Sequence, residues 1–124
     1  MRRAIARGLL GDELPPLVGG IQRYEPVRLD LLVRDATCAA AARAKNADSV
    51  AASHPESARD DLRRIRALIR QSRNALPRAR KNGELSPEIQ AAISVGLDAA
   101  EANASIAGLA RVADALTPVC GLFK

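Results

Sequence analysis

Residues 59–76, RDDLRRIRALIRQSRNAL, carry the pattern that decides the fold. Arginines recur here at alternating spacings of four and three residues, which is the repeat of one face of an α-helix. At about 100° per residue, this arginine ladder falls inside a strip roughly 80° wide. The ladder consists of Arg59, Arg63, Arg66, Arg70 and Arg73. A separate apolar stripe on the same helix consists of Leu62, Ile65, Ile69 and Leu76. The segment therefore predicts a helix that buries one side and carries a cationic edge beside it.

The composition of the chain also favours helix. Alanine supplies about a fifth of the 124 residues, and the only aromatic side chains are Tyr24 and Phe123. Alanine loses the least free energy on entering a helix, but it buries little apolar area. A single domain with such a thin core needs close helix packing or self-association. We therefore expect a homo-oligomer.

The first 26 residues predict an irregular arm. They contain the breakers Gly11, Pro15, Pro16, Gly19, Gly20 and Pro26. Residues 21–24 and 27–31 also alternate in a way that is compatible with short strands. The run that follows is rich in alanine and almost free of breakers, so it predicts a first helix over about residues 27–52.

The second helix is predicted over residues 54–76. Ser53 and Glu56 have the spacing of a capping box, with Pro55 in the first turn, and Ser57 is an alternative N-cap. Pro77 is expected to kink or end this helix, and residues 81–83 supply a further stop.

The third helix is predicted over residues 87–116, with Ser86 as its N-cap and Thr117-Pro118 as its stop. It carries two apolar stripes that lie about 160° apart around the helix axis. Either the helix bends near residues 103–108, or its two halves pack against different partners, one of which could be a second copy of the chain. The later stripe is the candidate oligomer interface and consists of Ile106, Leu109, Val112 and Leu116.

Together these elements predict an all-α fold. We expect an antiparallel three-helix bundle formed by residues 27–124 as one domain, preceded by the irregular N-terminal arm of residues 1–26.

The net charge of +5 is concentrated in the middle of the chain. Residues 56–81 carry nine basic and three acidic side chains, a local balance of +6. Arg78 and Arg80 extend the ladder beyond Pro77. A local cationic patch indicates an anionic partner, either nucleic acid or an acidic protein. The alternative is a solvated face, or internal pairs with acids such as Asp98 and Glu101.

The composition of the patch limits how it could bind nucleic acid. It contains no aromatic side chain for stacking on single strands, and no short helix-turn-helix pair is evident. Contacts would therefore be made to the phosphate backbone.

The sequence offers no convergent catalytic group. His54 is the only histidine, and the cysteine and histidine spacings do not suit a metal. We expect no catalytic residue, no metal and no cofactor, and hence no enzyme. A site assembled across subunits around Asp98, Glu101 or His54 is the remaining enzymatic alternative.

The two cysteines are not expected to form a bridge. In a straight bundle Cys38 would lie about 15 Å, and Cys120 about 45 Å, above the start of the first helix. A disulfide needs Cα atoms within about 7 Å, so a bridge requires the C-terminal tail to fold back. A Cys38–His54 dyad is excluded on the same grounds if the first helix is real.

No apolar run is long enough to cross a membrane, and the N-terminus lacks the apolar core of a secretory signal. We expect a cytoplasmic location and no membrane partner. The sequence therefore predicts a non-enzymatic helical interaction and assembly module that self-associates. The alternative is an accessory nucleic-acid-binding protein that contacts phosphates through the arginine ladder.

Overall fold

The computed structural model describes residues 28–123, and these residues form four α-helices. The helices are α1 (Leu29–Val50), α2 (Pro55–Lys81), α3 (Pro87–Ala102) and α4 (Leu109–Gly121). Residues 28–123 contain no strand, so the predicted all-α class is confirmed for this part of the chain. The predicted N-terminal arm and its possible short strand at residues 21–24 lie outside the described residues.

Successive helices run antiparallel and form a closed ring of neighbours. The helix α1 packs between α2 and α4, and α3 packs between α4 and α2. The core of the bundle is formed by aliphatic side chains from all four helices, of which the largest fully buried ones are Ile65, Ile69, Ile93, Leu97, Leu109 and Leu116. The fold is therefore a four-helix bundle in up-down-up-down order. The predicted count of three helices is wrong.

The difference in count arises because the predicted third helix is interrupted. Its first half ends at Ala102, and the second half begins at Leu109 after a turn. The Asn103 side chain donates to the Ala99 carbonyl at 2.8 Å, and the backbone N–H of Gly108 donates to the Ser105 hydroxyl at 3.1 Å. These two side chains add hydrogen bonds at the end of α3 and in the turn before α4, where backbone groups begin to lack helical partners. The bend near residues 103–108 is thus present, and it also gives each half its own packing partner.

The start of α2 differs from the predicted capping box. The helix begins at Pro55, and the N-cap residue His54 makes no side-chain cap. The Ser53 hydroxyl instead donates to the Val50 carbonyl at 3.3 Å, at the end of α1. Pro55 is accommodated in the first turn because its missing N–H would have been unpaired there in any case.

The helix α2 continues through Pro77 to Lys81, five residues beyond the predicted end at residue 76. Proline inside a helix costs about 3 kcal/mol. Leu76 and Ala79 on either side of it are buried, so packing keeps the segment helical.

The helix α2 ends at the stop predicted for residues 81–83. Gly83 adopts a φ of 77°, and the N–H of Glu84 donates to the Ala79 carbonyl at 2.9 Å, which closes a Schellman motif.

Glu84 links this turn to the start of α1. Its Oε1 accepts the backbone N–H of Asp30 at 2.7 Å, one of the N–H groups left unpaired at the first turn of α1. Asp30 is itself paired with Arg28, whose hydrogen bond lowers the pKa of that carboxyl against the opposing effect of burial. The α2–α3 turn therefore fixes the beginning of α1.

The predicted N-cap of α3 is confirmed. The Ser86 hydroxyl accepts the N–H of Ile89 at 3.2 Å, with Pro87 as the first helical residue.

Further along α3, the helix packs closely against α4 at Gly96. A Cβ at Gly96 would collide with the Val119 side chain and lie 3.2 Å from the Ala115 carbonyl. A side chain at Gly96 would therefore force Val119 or α4 to move, so glycine lets α3 and α4 pack closely here, as expected for a core built from small residues.

The expectation of two unpaired cysteines is wrong. Cys38 of α1 and Cys120 of α4 form a disulfide, with their Cα atoms 4.9 Å apart. The sequence-based distances assumed one straight third helix, which would have carried Cys120 away from Cys38. Because the turn at residues 103–108 reverses the chain, α4 runs back along α1 and the two cysteines meet.

The bridge is expected to stabilise the bundle strongly because it closes a loop with a sequence separation of 82 residues. Chain entropy predicts a contribution of about 4.5 kcal/mol for such a loop, and measured values are typically about 2–4 kcal/mol. We expect Cys120→Ser to lower the free energy of unfolding by about 2–4 kcal/mol in urea titrations.

A reductant provides the control. It should destabilise the wild-type chain by the same amount and leave the Cys120→Ser variant unchanged. If the wild-type chain is equally stable with and without reductant, the bridge does not form.

Candidate functional site

The arginine ladder lies along α2, and its members are not equivalent. The side chains of Arg59, Arg63, Arg66 and Arg70 are exposed, whereas Arg73 is partly buried against α3. Arg78 and Arg80 are exposed in the last turn. By helical geometry Arg78 lies about 100° around the axis from the centre of the ladder, so it falls outside the strip.

Arg73 is occupied within the chain. Its Nη2 pairs with Asp98 and lies 3.1 Å from Glu101 Oε1, so one guanidinium joins α2 to two carboxylates of α3. The hydrogen bond with Asp98 raises the pKa of Arg73 above its already high ordinary value. This charge is therefore permanent and serves as a clamp between helices. The pairing with Asp98 and Glu101 that the sequence left open therefore occurs at Arg73.

The acids of α2 itself are also partly occupied. Asp60 pairs with Arg63 on the same helix, and Asp61 pairs with Arg43 of α1 at 3.2 Å. Both pairs are solvent-exposed or nearly so and contribute little stability. Their effect is to leave few free carboxylates beside the remaining arginines of α2.

Arg66 and Arg70 line a cleft between α2 and the end of α3. The cleft has a volume of about 250 Å³, and its walls are formed by Arg66, Ile69, Arg70, Glu101 and Ala104. The Nη2 of Arg66 donates to the Ala104 carbonyl at 2.7 Å. Within residues 28–123, Arg59 and Arg70 have neither an ion pair nor a side-chain hydrogen bond. Three of the five ladder guanidinium groups therefore have no carboxylate partner in the part of the chain that the structure describes.

The residues of the predicted oligomer interface lie in the core of the bundle or against it. Leu109, Val112 and Leu116 are fully buried in the chain's own core, and Ile106 is half-buried against it. Their stripe packs within the bundle because α4 folds back onto α1. A second copy would have to use another surface.

One such surface lies on α3 and was not singled out from the sequence. Val95 is 68% exposed, the largest exposure of any large apolar side chain among the described residues. Helical spacing places Ala91, Ala92, Ala99 and Ala102 on the same side, and all four are exposed. The only signal in the sequence is the row of alanines at this spacing.

The proposed enzymatic alternative gains no convergent group in the described part of the chain. His54 is exposed at the α1–α2 turn, while Asp98 and Glu101 of α3 are engaged by Arg73. No group of three potential metal-ligating side chains occurs within residues 28–123. In the same range, no helix combines the length and the apolarity that a membrane-spanning segment requires.

No known protein family, curated protein or solved structure matches this chain significantly. The function therefore has to be inferred from the side chains and surfaces described above.

The division of the ladder predicts different stability effects for its members. We expect Arg73→Gln to lower the free energy of unfolding by about 1 kcal/mol, since it removes two partly exposed ion pairs between α2 and α3. Arg59→Gln is the matched control on the same helix face and should change stability by less than about 0.5 kcal/mol. Urea titration of both variants measures the difference. Equal effects of the two substitutions would contradict the clamp.

Proposed function

We propose that this chain is a non-enzymatic interaction module whose binding surface is the arginine face of α2. The partner would be the phosphate backbone of duplex nucleic acid. The observation that carries the proposal is that Arg59, Arg66 and Arg70 are exposed on one strip with no carboxylate partner among the described residues. Arg63 lies on the same strip and could exchange Asp60 for a phosphate.

The spacing of the strip supports a polymeric partner. Arg59 and Arg70 are separated by about 16 Å along the helix axis, with two further arginines between them. A duplex presents one negative charge per about 1.7 Å of its axis, so several phosphates lie within reach of such a row. The guanidinium fork matches the geometry of phosphate oxygens.

The absence of aromatic side chains on this strip supports contacts to the backbone in preference to stacked bases. Sequence preference is therefore expected to be weak. The exposed surface also suits an acidic protein, which becomes the favoured partner if duplex binding fails.

The salt dependence of binding tests this proposal. Four phosphate contacts predict that affinity for a 20-base-pair duplex falls by about 100-fold between 50 and 200 mM salt. We expect Arg70→Glu to weaken binding and to reduce the slope of log affinity against log salt by about one unit. Fluorescence anisotropy with a labelled duplex measures both quantities.

Arg111→Glu is the matched control, because Arg111 is an exposed arginine of α4 and the substitution changes the net charge equally. It should leave the salt slope unchanged. Equal losses in both variants would mean that only net charge matters, and no binding at 50 mM salt would refute the nucleic-acid proposal.

Self-association is the second candidate, and the exposure of Val95 among the alanines of α3 favours it. Two α3 helices could approach closely there because the neighbouring residues are alanines. We expect light scattering to show a species heavier than the monomer at high protein concentration, and Val95→Asp to abolish it without loss of helicity.

Leu122→Asp is the matched control for that experiment, since Leu122 is the other exposed large apolar residue in the described part of the chain. A wild-type chain that stays monomeric at all concentrations would contradict self-association. Substitutions at Leu109 or Leu116 are unsuitable tests because both side chains belong to the core.

The disulfide bears on the predicted cytoplasmic location. Bridges of this kind persist in oxidising compartments and are rare in the reduced cytosol. The Cys38–Cys120 bridge therefore argues against a cytoplasmic location. The location of the chain stays a prediction. The arginine face belongs to α2, whereas the bridge joins α1 to α4, so binding to an anion does not itself require the disulfide.

A further inference from the structure

The cleft between α2 and α3 differs from the rest of the arginine face because it has walls and an apolar floor. Ile69, which is almost fully buried, and Ala104 supply its apolar lining. Arg66 and Arg70 lie one helical turn apart on α2 and both line the cavity. An anion that enters the cleft would therefore meet two guanidinium groups and lose part of its contact with water.

Arg66 is held in position by the protein. Its Nη2 donates to the Ala104 carbonyl at 2.7 Å, in the turn that follows α3. A guanidinium group has five N–H donors, so this bond leaves most of them for a ligand. A fixed arginine loses less side-chain freedom on binding than a mobile one, which favours a defined site.

Glu101 is the one acidic residue in the wall, and its charge is already engaged. Its carboxylate lies 3.1 Å from Arg73, which itself does not line the cleft. The lining residues carry two positive charges and one negative charge, a net charge of +1, and Arg73 outside the lining offsets part of the Glu101 charge while it also pairs with Asp98. The cavity is therefore suited to an anion.

We propose that this cleft is a phosphate-binding site in which Arg66 and Arg70 hold a single phosphate group between α2 and α3. The volume of about 250 Å³ lies below the range of about 300–1,000 Å³ that is typical for whole small-molecule ligands. One phosphate with part of the group that carries it fits this size. Two arginines can together donate several charge-assisted hydrogen bonds to its oxygens.

This inference deepens the proposed function, because the bound phosphate would be one of those in the nucleic-acid backbone. It also makes a separate claim, namely that the phosphate group alone is recognised. Inorganic phosphate is therefore the appropriate probe.

The test is a titration of the full chain with inorganic phosphate at constant ionic strength, followed by ¹H–¹⁵N NMR. We expect saturable shifts at the amides of Ile69 and Ala104, with a dissociation constant in the millimolar range. Arg70→Gln should weaken binding by about tenfold or more, since it removes charged hydrogen bonds to the ligand and breaks no ion pair or side-chain hydrogen bond within residues 28–123. Arg59→Gln, on the same face but outside the cleft, should leave the dissociation constant unchanged.

A second variant tests whether the negative charge of Glu101 opposes phosphate binding. Glu101→Gln removes a negative charge from the wall and should strengthen phosphate binding. Asp98→Asn removes the other partner of Arg73 but lies outside the lining, so it should have a smaller effect. Shifts that do not saturate, or equal losses in Arg70→Gln and Arg59→Gln, would overturn the site.

The two proposals can fail separately. Salt-dependent duplex binding without a saturable phosphate site would overturn the cleft and leave the arginine face as the binding surface. Saturable phosphate binding without duplex binding would support the cleft and overturn the nucleic-acid proposal, and the ligand would then be a small phosphate ester.

Discussion

The reversal of the chain between Asn103 and Gly108 is the constraint on which the rest of the structure depends. It turns a single apolar segment into two antiparallel helices and places α4 against α1. As a result Leu109 and Leu116 enter the core, and Cys120 reaches Cys38. The same turn presents the Ala104 carbonyl to Arg66. The bundle, the disulfide and one wall of the cleft thus share one local origin.

The turn is stabilised by short polar side chains. The Asn103 side chain adds a second hydrogen bond to the Ala99 carbonyl, which also accepts the Asn103 backbone N–H, and the Ser105 hydroxyl accepts the N–H of Gly108. The N–H groups of Asn103 and Gly108 remain bonded to preceding carbonyls, so little backbone hydrogen bonding is lost. This low cost explains how an alanine-rich segment with high helix propensity can still reverse direction.

Local signals in the sequence predicted most of the fold. Ser86 and Gly83 could be recognised because the N-cap and the left-handed stop depend on single side chains. The continuation of α2 through Pro77 could not be predicted, because the burial of Leu76 and Ala79 on either side outweighs the free-energy cost of a proline inside a helix. The sequence indicated the turn at residues 103–108 only indirectly, through two apolar stripes that one straight helix could not bury together. The disulfide was missed because its prediction required the position of that turn in three dimensions.

The candidate site could be predicted only in part for a related reason. Helical spacing placed the arginines on one face, since this depends on α2 alone. Which of these arginines remain available for a ligand depends on carboxylates from α3. The spacing of the arginines along α2 does not reveal that Arg73 pairs with Asp98. The cleft depends on Ala104 and on the end of α3, so it could not be inferred before the turn was known.

The distribution of stabilising contacts suggests how binding would act on the fold. The α1–α4 side is joined by the disulfide, whereas the polar contacts on the α2–α3 side are the partly exposed ion pairs of Arg73 and one hydrogen bond from Arg66. A phosphate held in the cleft would screen the like charges of Arg66 and Arg70, which lie one turn apart. It would also bind only the folded bundle, and so would stabilise it by mass action. The side of the bundle that carries the proposed site is therefore also the side that gains most from a bound anion.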